Sequence, residues 1–130
     1  MTDISKQKIG QLGEDTAVDI LVRNGFSVIG RNIHVSHKEI DVIAENDTHL
    51  VFVEVKARRQ DPAHPSPYGR PAEAVDYKKR KRIATAAQIY LYEHPTDKVP
   101  RIDVIEVFVS SDGAKILHTE WYQNAFGADG

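Results

Sequence analysis

Two acidic residues lie in neighbouring extended segments, a placement that suits metal binding. Asp41 belongs to a segment that alternates polar and apolar residues, and Glu54 to a run rich in β-branched and aromatic residues. The polar cluster between them, residues 45–48, predicts a tight hairpin. If Glu45 pairs with Leu50, Asp41 lies directly opposite Glu54. Opposed carboxylates repel each other unless a cation lies between them, so the pair is a candidate site for Mg²⁺ or Mn²⁺.

Lys56 is the third residue of this candidate site because it points to the same side of its strand as Glu54. Its ammonium group is suited to orienting an attacking water and to offsetting negative charge on a phosphate. Glu39 lies opposite Lys56 in the same register and is assigned a supporting role. The alternative is a solvated surface on which Glu39 and Lys56 form an ordinary ion pair. The opposite face of the hairpin is predicted to carry Ile40, Val42, Val51, Val53 and Val55.

Glu14 is a further candidate metal ligand. It borders the inward side of the first predicted helix, where a glutamate that only contacts solvent is not expected. Gly10 and Gly13 would let this helix approach the sheet closely. The alternative, a flank residue that reaches out to solvent, remains open.

The elements that position these residues follow in the order helix, three strands, helix, two strands. Apolar residues at helical spacing predict a first helix from about Ile4 to Asn24, with Gly25 as its stop. Pro71 suits the first turn of the second helix. This order predicts one α/β domain, residues 1–130, with a mixed central sheet flanked by helices. The strands are predicted at residues 26–33, 39–44, 50–56, 102–109 and 116–122.

Basic residues are concentrated in one part of the chain. Nine basic and three acidic residues between positions 56 and 82 give this part a charge of +6, which leaves −8 for the rest of a chain whose total is −2. Residues 57–70 are predicted to form a mobile loop and residues 123–130 a frayed tail. A solvated helix face is the alternative to a nucleic-acid contact. The candidate contacts are Arg58, Arg59, Arg70, Lys78, Lys79, Lys81 and Arg82.

Several classes of protein and site are excluded by what the chain lacks. It has no cysteine, which excludes disulfides and thiolate metal sites. It has no apolar run of about 20 residues and no signal-peptide pattern at its start, so a cytoplasmic protein without a membrane partner is expected. His34 and His37 are predicted to lie on an extended segment and to point to opposite faces, which argues against a histidine metal site.

Four blocks of sequence, taken together, resemble the YraN-like family of small bacterial proteins. They are residues 10–17 (GQLGEDTA), 39–44 (EIDVIA), 51–58 (VFVEVKAR) and 101–104 (RIDV). The family is similar to archaeal Holliday-junction resolvases and belongs to the restriction-endonuclease-like PD-(D/E)xK superfamily. The likeness runs from about Lys6 to Val109.

This resemblance implies a restriction-endonuclease-like αβββαβ core and a catalytic site. Asp41 would be the motif aspartate, Glu54 the second acid and Lys56 the motif lysine, while Glu14 would complete the metal site. The implied activity is that of a Mg²⁺- or Mn²⁺-dependent DNA endonuclease acting on branched DNA, and a homodimer is expected by analogy.

Two other classes of function remain open from the sequence. A catalytically silent nucleic-acid-binding or assembly module would keep the fold and bind DNA without cutting it. A protein-interaction domain would have no affinity for DNA even at low salt.

Overall fold

The computed structural model describes residues 6–59 and 77–125 of the chain. One helix and three strands come first, and a second helix and two strands follow, which confirms the predicted order. The predicted start of the second helix at Pro71 lies outside the described residues. The elements are α1 Lys6–Arg23, β1 Ser27–Val35, β2 Lys38–Glu45, β3 His49–Arg59, α2 Tyr77–Glu93, β4 Val99–Val109 and β5 Ile116–Tyr122.

The five strands form a single mixed sheet in the order β1-β2-β3-β4-β5. Neighbouring strands are antiparallel except for β3 and β4, which are parallel. A parallel pair needs a crossover connection, and α2 lies in the chain between these two strands. The prediction of a mixed central sheet flanked by helices is therefore confirmed, as an αβββαβ core with one more strand. No helix in the described ranges is long and apolar enough to cross a membrane.

Each face of the sheet carries its own apolar core, with α1 on one face and α2 on the other. The core under α1 contains the buried residues Ala17, Leu21, Val42, Ala44, Val51 and Val53. The core under α2 contains Ile40, Ile43, Phe52, Ile83, Ala87 and Ile102. The prediction that Ile40 shares a face with Val42 is wrong, because Ile40 packs under α2. Side chains of β2 therefore stop alternating between the two faces at Asp41. This is the point where pairing with β3 ends, since Val42 is the last residue of β2 that pairs with β3.

Gly25 ends α1, as predicted. The N–H of Gly25 donates to the carbonyl of Val22 at 3.2 Å, and the N–H of Phe26 donates to the carbonyl of Leu21 at 3.0 Å. This pair of hydrogen bonds requires a left-handed residue after the helix, and Gly25 has a φ of 88°. Phe26 then packs into the same core as Leu21, which directs the chain into β1.

The β2–β3 hairpin sets the register on which the candidate site depends. Oδ1 of Asn46 accepts hydrogen bonds from the backbone N–H groups of Thr48 and His49, at 3.0 and 2.8 Å. An asparagine that bonds to backbone groups two and three residues further on stabilises a tight turn. As a result, Glu45 pairs with Leu50, and the predicted register is confirmed.

The connection between β1 and β2 differs from the prediction. Val35 pairs with Lys38, so Ser36 and His37 form a two-residue turn, and both have positive φ angles, 47° and 69°. The predicted extended geometry for this segment is wrong. Two-residue hairpins favour such left-handed pairs because their twist matches that of the strands.

β3 is longer than the sequence predicts. Ala57, Arg58 and Arg59 continue the strand, and Arg59 pairs with Val109. The first three residues of the predicted loop are therefore strand, and the remaining residues of that loop lie outside the described ranges.

The beginning of the predicted frayed tail is hydrogen-bonded to β4. The N–H of Asn124 donates to Oδ1 of Asp103 at 2.8 Å, and the N–H of Ala125 donates to the carbonyl of Ile102 at 2.9 Å. Both contacts hold the chain after β5 against the sheet. Residues 126–130 lie outside the described ranges.

α1 approaches the sheet closely at Gly13 and not at Gly10. A Cβ atom at Gly13 would lie 2.5 Å from Cβ of Ala57, whereas a Cβ at Gly10 would meet no atom within 4 Å. We expect Gly13→Ala to lower the free energy of unfolding by about 2 kcal/mol, because the helix must move away from β3. Gly10→Ala, the matched control, should raise it by up to about 1 kcal/mol through helix propensity. Urea unfolding of both variants tests this, and equal effects would contradict the close approach.

Candidate functional site

Asp41 and Glu54 lie next to each other where the pairing of β2 with β3 ends. The last described pair of this ladder is Val42 with Val53, and Asp41 and Glu54 are the next residues on the two strands. Beyond this pair, the backbone N–H of Val55 donates to Oδ2 of Asp41 at 2.8 Å. The side chain of Asp41 thus bonds to the backbone of β3 at the point where the ladder stops.

The carboxyl group of Asp41 has an unusual affinity for protons. Burial is the main cause and the negative charge of Glu54 the next, and together they raise the pKa of Asp41 from 3.8 to about 7. A hydrogen bond between the two carboxyl groups acts in the same direction, while the N–H of Val55 and the charge of Lys79 oppose the shift. The pair therefore retains a proton near neutral pH unless a cation replaces it.

Lys79, on α2, contacts this acidic pair. Its Nζ lies 2.7 Å from Oε1 of Glu54, whose side chain is only 4% exposed. Burial opposes the charge of Lys79, but the hydrogen bond to Glu54 and the charges of Glu54 and Asp41 outweigh it and raise the pKa of the ammonium group. Lys79 is therefore a cation held at the acidic pair, although the sequence assigns it only a contact with nucleic acid.

A cavity of about 690 Å³ opens beside Asp41, between the start of α1 and the end of β3. Lys56 lines it together with Asp41, whereas Glu54 does not line it. Glu39 lines it as well, with its carboxylate 3.7 Å from Nε2 of His34 on β1. The cavity also receives side chains from α1, namely Lys6, Gln7, Gln11 and Glu14.

Glu14 borders the same cavity but is bound by two residues of β1. Its Oε1 accepts hydrogen bonds from Nε of Arg31 at 3.0 Å and from Nδ2 of Asn32 at 2.9 Å. Asn32 has a positive φ of 49°, which turns its side chain out of the regular strand. Within residues 6–59 and 77–125, no three histidine or acidic side chains are close enough to hold a metal ion. The predicted third carboxylate is therefore near the pair but engaged elsewhere.

The pair alone provides the oxygen ligands that a small divalent cation needs. Mg²⁺ keeps several water molecules and is bound by one or two carboxylates together with substrate phosphates. Repulsion between two neighbouring carboxylates is relieved when a cation binds between them. The ammonium group of Lys79 at Glu54 already supplies positive charge there. Asp41 and Glu54 thus fit Mg²⁺ or Mn²⁺ with two protein ligands.

The basic residues predicted to contact nucleic acid fall into three groups. On α2, Lys78, Lys81 and Arg82 are exposed, as phosphate contacts must be. On β3, Arg59 is exposed, but Nε of Arg58 lies 3.0 Å from Oε2 of the buried Glu106. Arg70 lies outside the described residues.

Sequence reasoning missed several partners of the site residues. Arg31 and Asn32 hold Glu14, and Glu106 holds Arg58, without any motif that links these pairs in the sequence. Burial raises the pKa of Glu106, and the nearby charge of Arg58 opposes this rise. An acidic residue in the apolar run of β4 is the one signal that could have indicated a buried charge with a partner.

Asp41→Asn should stabilise the metal-free protein at high pH. The folded state binds the proton of Asp41 more tightly than the unfolded chain, so the stability of the wild type falls as the pH rises from about 4 to about 7. The full shift corresponds to about 4 kcal/mol, and we expect about 2 kcal/mol after structural relaxation. Asparagine carries no charge at either pH. The free energy of unfolding of Asp41→Asn should therefore exceed that of the wild type at pH 8 but not at pH 4.

Urea unfolding without divalent cations measures this difference at both pH values. Asp47→Asn is the matched control because Asp47 is exposed in the hairpin. If the difference in free energy of unfolding between Asp41→Asn and the wild type is the same at both pH values, the raised pKa of Asp41 is refuted.

The fold and the site together define a small α/β protein with an acidic pair, the half-buried Asp41 and the buried Glu54, on adjacent strands of a mixed sheet. The chain belongs to the family described as "Uncharacterised protein family UPF0102", which it matches over residues 13–107. The matched region contains Glu14, Asp41, Glu54 and Lys56. The predicted likeness to YraN-like proteins is thereby confirmed at the level of this family.

Individual relatives cover almost the whole chain. It is 40% identical to the UPF0102 protein of Dictyoglomus thermophilum, over 95% of this chain and 100% of the relative. It is also 40% identical to the UPF0102 protein of Symbiobacterium thermophilum, over 94% of this chain and 98% of the relative. The similarity to the UPF0102 protein of Clostridioides difficile is 37% identity, over 81% and 88% of the two chains.

Proposed function

We propose that this protein is a metal-dependent DNA endonuclease, with Mg²⁺ or Mn²⁺ bound by Asp41 and Glu54. The observation that carries the proposal is the acidic pair itself, in which the half-buried Asp41 is held by the backbone of β3 beside the buried Glu54 and a cavity. Two neighbouring carboxylates, one of them buried, are costly to the fold unless cations compensate them. Lys79 contacts Glu54, and a divalent cation would compensate both carboxylates. Branched recombination intermediates are the first substrates to test, because the resemblance to junction resolvases implies them.

The residues of the site have separable roles in phosphodiester hydrolysis. A divalent cation bound to the pair would polarise the phosphate and lower the pKa of a water molecule. Asp41 and Glu54 hold the cation, and the N–H of Val55 keeps one oxygen of Asp41 in position. Lys56 lines the same cavity as Asp41, where its ammonium group would orient the attacking water and stabilise charge that develops on the phosphate. Glu14 would join the cation only after release from Arg31 and Asn32.

DNA would be held by the exposed cations of α2 and by Arg59. Lys78, Lys81 and Arg82 are exposed on α2, and Arg82 lies one turn from Lys79, which itself reaches the acidic pair. Such contacts with phosphates give affinity that depends on salt and not on base sequence. A homodimer would present two such surfaces to the arms of a branched substrate.

Isothermal titration of Mn²⁺ and cleavage of a labelled four-way junction test the proposal. Wild type should bind Mn²⁺ and cut the junction, and Asp41→Asn should do neither. Asp47→Asn, which changes an exposed aspartate of the hairpin, should behave as the wild type. Wild-type protein that binds no Mn²⁺ and leaves junction and linear DNA intact would reject a metal-dependent nuclease.

A catalytically silent DNA-binding module is the second candidate, and one observation favours it. Glu14 is bound to Arg31 and Asn32, so the acidic pair has no third carboxylate among the described residues. This candidate predicts junction binding without cleavage and with an affinity that Glu54→Ala does not change. The same gel assays, run with and without Mn²⁺, separate the two candidates.

A further inference from the structure

The ion pair between Lys79 and Glu54 joins the candidate DNA-binding helix to the candidate metal site. Nζ of Lys79 lies 2.7 Å from Oε1 of Glu54, while the side chain of Lys79 remains 38% exposed. The ammonium end of this side chain is therefore at the acidic pair, while part of the side chain is exposed to solvent. The neighbouring side chains on this helix, Lys78, Lys81 and Arg82, are exposed.

Lys79 and a divalent cation compete for the same oxygen atom. The ammonium group occupies one of the lone-pair sites of Oε1, so a metal ion bound at this oxygen would lie very close to Nζ of Lys79. The metal ion and the ammonium group of Lys79 would both contact Glu54, so these two cations would repel each other. The repulsion is strong because the side chain of Glu54 is 4% exposed and little solvent screens it. A metal ion bound by Glu54 would therefore displace Lys79.

Displacement changes the charge that α2 presents to a polyanion. While Lys79 is paired with Glu54, its charge is neutralised locally and adds little to phosphate binding. After displacement, the flexible stem carries the ammonium group into the space beside the acidic pair, next to exposed Arg82. Arg82 follows Lys79 by three residues on α2, a spacing that places the two side chains on the same face of the helix, and its charge opposes the rise in the pKa of Lys79.

We propose that Lys79 is a displaceable counter-cation that couples metal binding at Asp41 and Glu54 to phosphate binding on α2. This inference rests on the proposed metal site and adds a regulatory role for α2. Metal binding frees Lys79 for a substrate phosphate, and by reciprocity substrate binding draws Lys79 away from Glu54 and favours the metal. Without metal, the same ion pair keeps the buried carboxylates compensated.

Titration of Mn²⁺ into the wild type and Lys79→Gln is the first part of the test. We expect Lys79→Gln to bind Mn²⁺ about tenfold more tightly, because its competitor is absent. Lys98→Gln is the matched control, since it breaks a comparable ion pair, Lys98 to Glu45 at 2.9 Å, away from the site. Lys98→Gln should bind Mn²⁺ as the wild type does.

Salt dependence of junction binding is the second part, measured with and without Ca²⁺. Affinity for the junction falls with salt, and the slope of log affinity against log salt counts phosphate contacts. Ca²⁺ should make this slope steeper in the wild type by about 0.9, the value for one phosphate contact. In Lys79→Gln, Ca²⁺ should leave the slope unchanged. If Lys79→Gln does not fold, the ammonium ¹⁵N signal of Lys79 in the wild type decides instead. It should move to the position of an exposed lysine on addition of Mg²⁺.

The outcomes separate this inference from the proposed function. An unchanged or weaker Mn²⁺ affinity in folded Lys79→Gln, or an unmoved Lys79 signal on Mg²⁺ saturation, overturns the counter-cation and leaves the nuclease proposal standing. If wild type, Lys79→Gln and Lys98→Gln all fail to bind Mn²⁺, the metal-dependent function itself is rejected, and the coupling with it.

Discussion

Lys56→Gln is expected to lower the rate of junction cleavage by a factor of about 100 to 1,000, the usual effect of removing one group that stabilises transition-state charge. Lys56 lines the cavity beside Asp41 and follows Glu54 on the same face of β3. It is not among the oxygen ligands of the proposed metal, so Mn²⁺ affinity should change little. A loss of rate without a loss of metal binding would identify Lys56 as a group that acts on the substrate.

Single-turnover cleavage at saturating Mn²⁺ measures this effect directly. Lys115→Gln is the control because Lys115 is exposed in the turn before β5, far along the chain from the site. It should cut at the wild-type rate. Glutamine is chosen rather than alanine because it keeps most of the volume and packing of the lysine side chain. Cleavage by Lys56→Gln at a rate within threefold of the wild type would remove Lys56 from the proposed mechanism.

Asp103→Ala should lower the free energy of unfolding by about 3 to 5 kcal/mol, the cost of removing one member of a buried ion pair. Asp103 is fully buried on β4 and accepts hydrogen bonds from Nε and another nitrogen of Arg101, at 2.9 and 3.0 Å. It also accepts bonds from Nε1 of Trp121 at 2.9 Å and from the N–H of Asn124 at 2.8 Å. Alanine would leave these donors without an acceptor.

Urea unfolding at pH 7 tests the structural role of Asp103. Asp97→Ala changes an exposed aspartate before β4 and should shift the free energy of unfolding by less than about 0.5 kcal/mol. A loss below about 1 kcal/mol for Asp103→Ala would show that the cluster is not a stability determinant. Although Asp103 lies in one of the four blocks that carry the family resemblance, its partners place it in the fold and not in the candidate site.

The elements of the fold were predictable because their signals are local. Gly25 ends α1, and Asn46 closes the β2–β3 hairpin, through hydrogen bonds between residues at most five positions apart. With the hairpin closed, side-chain alternation was sufficient to bring Asp41 beside Glu54. The prediction failed for Ile40 because the alternation breaks where β2 and β3 stop pairing.

The charge state of the site depends on contacts between residues far apart in the chain. Lys79 is bound to Glu54, and Arg58 to Glu106, through ion pairs that no spacing in the sequence encodes. The same holds for Glu14, whose partners on β1 are 17 and 18 residues away. Hydrophobic periodicity and turn chemistry act between near neighbours, so the sequence alone determined the helices, the strands and the acidic pair. Only the packing of α1 and α2 on the sheet and the pairing of β3 with β4 decided which cations and donors these carboxylates meet, because buried charges take their partners from whatever element lies against them.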